Sequence, residues 1–256
     1  MLEGIHRLIS ASESGSLNFP PTLIYNEGWM LRLILDWFSR NTIPNHPLAF
    51  QTDALWFSEA LLPSPFHARH RADIRAEART HADGVVGHFA IGSAAKADAI
   101  LLPNAKQLLV IEAMMSSALS AGTRNAPTYD QAARNVACIA EMHRRASRSP
   151  ADMTSIGFFV LAPGSFIKAG VFAPKLEKRA IELAVKARAE AFKAELPTWL
   201  DDWFNPSLKA MRIGALSWED LLVQIEDRDK ASSSVLRAFY AQCLKHNERG
   251  ITSLPA

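Results

Sequence analysis

The sequence predicts an α/β sandwich in which helices cover a mixed sheet of four or more strands. Apolar residues recur at helical spacing in 26–40 and again in 128–146. Short apolar runs that are typical of strands separate and follow these helices, at 84–92, 95–102, 107–114 and 155–163. The alternation of the two kinds of segment is what predicts a layered α/β protein.

The composition is that of an ordinary globular protein. The chain has 256 residues, of which 48% are hydrophobic and 21% are charged, and its formal net charge is +2. The net charge therefore does not indicate a nucleic-acid-binding protein, although a local basic patch can still bind nucleic acid. No apolar run reaches the roughly 18 residues of a membrane helix. We expect a cytoplasmic protein with no membrane partner and with both cysteines, Cys138 and Cys243, reduced.

The elements of the first half follow in order. Residues 1–22 are expected to form an N-terminal arm that precedes a helix over 26–40, with Asn26 as a possible N-cap. A short helical candidate occupies 50–62, and the charged segment 67–83 leads into the strand at 84–92.

A hairpin and a second helix complete the predicted core. The runs 95–102 and 107–114 are joined by PNAK, a good turn sequence, and are expected to pair with each other. An amphipathic helix over 128–146 follows, with Thr128 as a credible N-cap. The near-continuous apolar run 155–163 indicates a central strand that is buried on both faces.

The C-terminal third is expected to be all-helical. Helical patterns cover about 174–196, 217–228 and 231–247, with a tryptophan-rich joint after the first. The predicted organisation is an arm at 1–22, an α/β core at 23–173 and, packed on the core, a helical extension at 174–256.

Two acids in the predicted hairpin are candidates for metal binding. Asp98 begins one strand and Glu112 lies near the end of the next, so one ordinary register places them opposite each other. Paired carboxylates are suited to Mg²⁺ or Mn²⁺. Lys96 shares a strand face with Asp98, since residues two apart point the same way.

These residues, in this order of elements, resemble the PD-(D/E)xK restriction-endonuclease-like superfamily over residues 23–163. The resemblance implies a restriction-endonuclease-like α/β/α fold, DNA as the partner, and metal-dependent hydrolysis of phosphodiester bonds. It implies that Asp98 and Glu112 hold the ion, with Glu27 of the first helix as a further acid. Gln131, with Tyr129, matches the polar positions that the family carries on its second helix.

The departure from the family pattern is Met114, which stands where the family has lysine. A thioether neither carries positive charge nor moves a proton. Lys96 is the candidate replacement for the missing lysine. The alternative is a catalytically inactive relative that binds nucleic acid or another protein. Many members dimerise to cut two strands, so a homodimer is possible.

Histidines in the charged segment offer weaker candidates. His67 and His70 are expected to be solvated, since no third metal ligand accompanies them. His81 and Asp83 can approach the sheet edge, but the interpretation as a polar turn before the strand is favoured.

Overall fold

The computed structural model describes residues 10, 19–92 and 96–247. Its larger sheet has five strands in the order β1–β2–β5–β6–β7, and β3 pairs with β4 in a separate two-stranded sheet. The strands are β1 (Leu55–Pro63), β2 (Arg79–Gly87), β3 (Phe89–Ile91), β4 (Ala99–Leu101), β5 (Gln107–Ala113), β6 (Ser155–Ala162) and β7 (Arg212–Ser217).

The helices are numbered in chain order and lie between and after the strands. They are α1 (Glu27–Arg40), α2 (Gln131–Arg145), α3 (Gly164–Lys168), α4 (Ala173–Leu176), α5 (Lys178–Glu190), α6 (Asn205–Ala210), α7 (Trp218–Glu226) and α8 (Lys230–Asn247). Short 3₁₀ turns at Pro21–Leu23 and Pro150–Asp152 and a π-helical turn at Leu200–Phe204 complete the set.

The sheet is mixed. Strand β2 pairs antiparallel with β1 and with β5, whereas β6 pairs parallel with β5 and with β7. All seven residues of β5 are buried, as expected for a strand with partners at both edges and layers on both faces. The expectation of a mixed sheet within an α/β protein is confirmed.

Two hydrophobic clusters flank the sheet. One packs α2 and α5 against side chains such as Val110 and Phe158. The other packs α1, α7 and α8 against side chains such as Ile111 and Phe159. Neighbouring strand residues thus point to opposite faces and both faces are covered, which is why β5 and β6 are mostly apolar along their length rather than at every second position.

Local caps set where the two core helices begin. The Asn26 side chain accepts a hydrogen bond from the Trp29 amide (2.9 Å), which starts α1 where the sequence predicts. In α2 the N-cap is Asp130, whose carboxylate accepts from the Ala133 amide (3.0 Å). Thr128 is therefore not the cap.

The predicted hairpin is wrong. Strand β5 pairs with β2 and β6, and the short strand β4 pairs with β3. A fully buried strand needs hydrogen-bonding partners along both edges, and the three-residue β4 cannot supply one.

Two further expectations fail for tertiary reasons. Residues 55–63 form β1 rather than part of a helix, because pairing with β2 overrides local propensity. The C-terminal region is not wholly helical, since β7 adds to β6 and continues the sheet beyond residue 174. Most of the predicted arm, residues 1–9 and 11–18, and the last residues of the predicted extension, 248–256, lie outside the described residues.

Candidate metal centre

Three acids on neighbouring strands lie in one row across the sheet. Ser58 and Ala60 pair with Gly84 and Ala82, which sets Glu59 of β1 beside Asp83 of β2. Gly84 pairs with Ile111, so the next positions along the two antiparallel strands, Asp83 and Glu112, also adjoin.

A histidine completes the cluster. Ligand atoms of Glu59, His81 and Asp83 all lie within 4.8 Å of one another. His81 and Asp83 are two apart on β2 and so share a face. Carboxylate oxygens suit Mg²⁺ and Mn²⁺, and an imidazole nitrogen widens the choice toward Mn²⁺ or Zn²⁺. The donor set therefore fits a divalent cation.

Glu112 is the buried member of the site. Its carboxylate accepts hydrogen bonds from Gln131 Nε2 (2.7 Å) and from Asn135 Nδ2 (2.6 Å), both on α2. Gln131, which the resemblance places near the site, thus contacts Glu112. These two amide donors fix the orientation of a carboxylate that has 1% of its surface exposed.

The carboxyl group of Asp83 affects the pKa of the neighbouring Glu112. Burial first, and the adjacent Asp83 carboxyl second, raise the pKa of Glu112 well above its ordinary value. Contact with the Asp83 carboxyl adds to this effect, so the protonated form of Glu112 is favoured. Asp83 is also held by the backbone, because its Oδ2 accepts from the Ala113 amide (2.8 Å).

Glu59 occupies an unusual backbone conformation. Its φ of 60° places a non-glycine residue in the left-handed region in the middle of a strand. Its carboxylate contacts the Arg32 guanidinium of α1 (3.1 Å) and the His81 imidazole (3.3 Å). Arg32 is itself anchored, since its Nε donates to Ser58 Oγ (2.9 Å). Backbone strain of this kind persists where surrounding contacts enforce it.

The structure does not bring Asp98 to this cluster. Asp98 lies beside the outer edge of β1, in a parallel bridge with Leu61, so β1 and β2 separate it from β5. Its carboxylate accepts from the Arg79 guanidinium (2.8 Å). The predicted pairing of Asp98 with Glu112 is wrong, because it depended on a hairpin that does not form.

Lys96 and Glu27 lie near elements of the site without joining the cluster. Lys96 is exposed in a turn rather than on a strand, two residues before the bridge between Asp98 and Leu61. Glu27 begins α1. Its carboxylate acts on Cys243 instead, where burial first and the Glu27 charge second raise the pKa of the thiol to about 12.

Met114 is a buried residue of the hydrophobic core. It is 6% exposed, and its carbonyl accepts a hydrogen bond from the buried Trp218 indole (3.0 Å). Ser117 Oγ lies 3.4 Å from its sulfur. A core side chain therefore occupies the position at which the resembled family has a lysine.

Sequence reasoning missed Glu59 and Asn135, and it favoured a polar turn for His81 and Asp83, which lie in β2 instead. The alternation in THADGVV was a signal for β2, because His81, Asp83 and Val85 then share one face. Asn135 follows Gln131 by one helical turn, the spacing at which two side chains can reach the same group.

Comparisons of the chain with models of protein families, with curated proteins and with solved structures gave no match. Among the described residues, every helix is too short or too polar to cross a lipid bilayer.

Proposed function

We propose that this protein is a metal-dependent nuclease that hydrolyses phosphodiester bonds in DNA, with Asp83 and Glu112 as its central acids. The observation that carries the proposal is the convergence of Glu59, His81 and Asp83 within 4.8 Å, beside the buried carboxyl of Glu112. A buried carboxyl such as Glu112 beside a second acid is costly to the fold when ionised, and a bound cation would offset that cost.

The order of elements supports the same proposal. Apart from the short pair β3 and β4, the chain runs through helix α1, strands β1, β2 and β5, helix α2 and strand β6, and the acids lie on strands that are adjacent in the sheet. The resemblance to the PD-(D/E)xK superfamily therefore transfers to Asp83 followed by Glu112–Ala113–Met114, with Asp83 taking the place first given to Asp98. The restriction-endonuclease-like fold is part of this proposal.

Each residue has a distinct task in the proposed reaction. A divalent ion bound by the acids would lower the pKa of a bound water and neutralise charge on a phosphate. Glu112, whose pKa is raised, would release its proton on binding the ion. Gln131 and Asn135 hold the Glu112 carboxylate in place. The exposed His81 imidazole can take or return a proton at the solvent side.

Positive charge at the site comes from Arg32, which is hydrogen-bonded to Glu59, rather than from position 114. Lys96 remains a second candidate, because it is exposed in the segment that runs beside β1 and can extend toward substrate. Loss of cleavage in Lys96→Ala, with unchanged binding of DNA, would assign the role to Lys96.

The test is cleavage of labelled DNA in Mg²⁺ or Mn²⁺. Wild type should cut only with metal, and Asp83→Asn and Glu112→Gln should each lose about two or more orders of magnitude in rate, as expected when a charged group that stabilises the transition state is removed. Asp98→Asn should retain the activity. Equal cleavage by wild type and Asp83→Asn would overturn the proposal.

A second candidate function is DNA or protein binding without hydrolysis. The buried Met114 favours it, and so do the contacts of Glu59 with Arg32 and His81, which already balance part of its charge. This alternative predicts no turnover with any divalent metal while binding persists. If Met114→Lys then cleaves DNA, the fold can support catalysis, and the methionine at position 114 is what prevents it in the natural protein.

A further inference from the structure

A second polar pocket lies beside the start of α2. It has a volume of about 200 Å³, several times the ~30 Å³ that one water occupies in the liquid. Its lining includes Arg75 and Arg188, together with Asn125, Thr128 and Tyr129. The pocket thus combines two guanidinium groups with hydroxyl and amide groups, the donors that oxyanions select.

Arg188 is held in the pocket wall by aromatic rings. Its guanidinium carbon lies 5.3 Å from the Phe66 ring centre, 5.6 Å from that of Tyr129 and 5.3 Å from that of Phe192. The side chain is 8% exposed, it donates one hydrogen bond, to the Arg75 carbonyl, and its Nε has no partner among the described residues. A fixed guanidinium with donors to spare is pre-organised to receive an anion.

The carboxylates nearest to Arg188 are already neutralised by other arginines. Asp73 is paired with Arg69 (2.7 Å), and Glu77 with Arg134 (3.5 Å). Within the described part of the chain, neither Arg75 nor Arg188 forms an ion pair. Burial lowers the pKa of Arg188, as expected for a cation that lacks a bound counter-charge. The pocket therefore carries unbalanced positive charge.

The pocket is also close to the candidate metal centre. Tyr129 precedes Gln131 by two residues, and Gln131 Nε2 reaches Glu112. The distance from the Tyr129 Cα atom to the Glu112 carboxylate is therefore at most roughly 15 Å, which is the combined length of two Cα–Cα steps, an extended glutamine side chain and one hydrogen bond. Successive phosphates of one DNA strand advance by about 3.4 Å along the helix axis, so this span covers a few nucleotides.

We propose that Arg188 and Arg75, with Asn125 and Thr128, form an oxyanion site that holds a phosphate group. Placed as it is, the site takes a backbone phosphate a few nucleotides from the bond that the metal centre cuts. That assignment rests on the proposed nuclease function. The same chemistry also accepts free inorganic phosphate.

The first test measures the affinity for a short fluorescent DNA duplex by anisotropy, in Ca²⁺, over a range of salt concentrations. Arg75 is the residue to change, because it is exposed and its side chain has no structural partner in the described chain. Arg75→Gln should weaken binding several-fold and reduce the slope of log K against log salt by about 0.9, the value for one phosphate contact. Arg75→Lys should keep most of the slope.

Arg228→Gln is the matched control, since Arg228 is also an exposed arginine but follows α7, which packs on the other face of the sheet. It should leave the slope unchanged. In a second arm, inorganic phosphate should raise the melting temperature of wild type and of Arg228→Gln above that in chloride at equal ionic strength. Arg75→Gln should lose this effect.

The outcomes separate this site from the nuclease proposal. Phosphate stabilisation without DNA binding supports the oxyanion site, assigns it to free phosphate and counts against the nuclease function. Equal salt slopes in wild type and Arg75→Gln, together with no stabilisation by phosphate, overturn the site. If these two results are found but wild type still cuts DNA in the presence of metal, the nuclease function is supported and the oxyanion site is not.

Discussion

The carboxyl group of Asp83 links the members of the proposed metal centre, so Asp83→Asn is the most informative single change. The substitution preserves shape, and an amide oxygen can still accept from the Ala113 amide. It removes one negative charge from a cluster whose ligand atoms lie within 4.8 Å of one another. At an effective dielectric of 20, two unit charges at that separation repel by about 3.5 kcal/mol.

Partial exposure of Glu59 and its contact with Arg32 reduce that repulsion to about 1 kcal/mol. Without metal, Asp83→Asn should therefore unfold at the same temperature as wild type or slightly above it. With Mn²⁺ at ten times its Kd, wild type should gain about 1.4 kcal/mol, which is about 3 °C for a chain of this size. Asp83→Asn should gain less than about 1 °C.

The stabilisation should depend on pH in a defined direction. The pKa of Glu112 is raised, so between its ordinary value near 4.5 and its folded value the native state binds more protons than the unfolded state. Stability of the metal-free protein should fall as pH rises through that window. The gain from Mn²⁺ should increase over the same interval, because the ion competes with the proton that Glu112 retains.

Differential scanning fluorimetry with and without Mn²⁺ provides the measurement. Asp202→Asn, an exposed acid in the π-helical turn, is the matched control and should respond to the ion as wild type does. An equal shift in wild type and Asp83→Asn would refute the assignment of the ion to this cluster. So would a gain from Mn²⁺ that shrinks as pH rises.

Three further predictions concern neighbouring positions. Asp98→Asn should lower the free energy of unfolding by about 1 kcal/mol in urea titrations, because it breaks the partly exposed pair with Arg79, and should leave cleavage intact. Trp218→Phe should cost about 1–3 kcal/mol by the same measurement, since it leaves the Met114 carbonyl without its buried donor. Met114→Lys should lower stability by burying an amine beside Glu112, and should raise metal-dependent cleavage per molecule of folded protein.

The local pattern predicted the two core helices and the central strand well, although the helix that it predicted at 50–62 does not form. Helix α1 begins one residue after the predicted start, at its Asn26 cap, and β6 coincides with the apolar run at 155–163 except for its last residue. These elements follow from periodicity, caps and apolar runs, which are properties of contiguous residues.

Strand pairing was the part that local pattern could not supply. Whether β5 pairs with β4 or with β2 depends on burial at both edges, and this is settled only when distant segments meet. The consequence for the site was direct, because the choice of partner decides whether Asp98 or Asp83 faces Glu112.

The high charge of the segment before residue 84 is the reason that the sequence did not predict the rest of the site. Its many arginines and acids suggested a solvated turn, whereas β2 begins at Arg79 and includes His81 and Asp83. Glu59 was concealed in a segment that was expected to be helical. Gln131 and Glu112 were found, since both lie in elements whose type was predicted correctly.

The most direct test of the metal centre is a crystal soaked in Mn²⁺, with anomalous scattering recorded near the manganese edge. The account predicts a peak contacted by Asp83 and Glu112, with Glu59 or His81 at its solvent side. A peak beside Asp98 instead, or no peak beside Asp83 and Glu112, would contradict it.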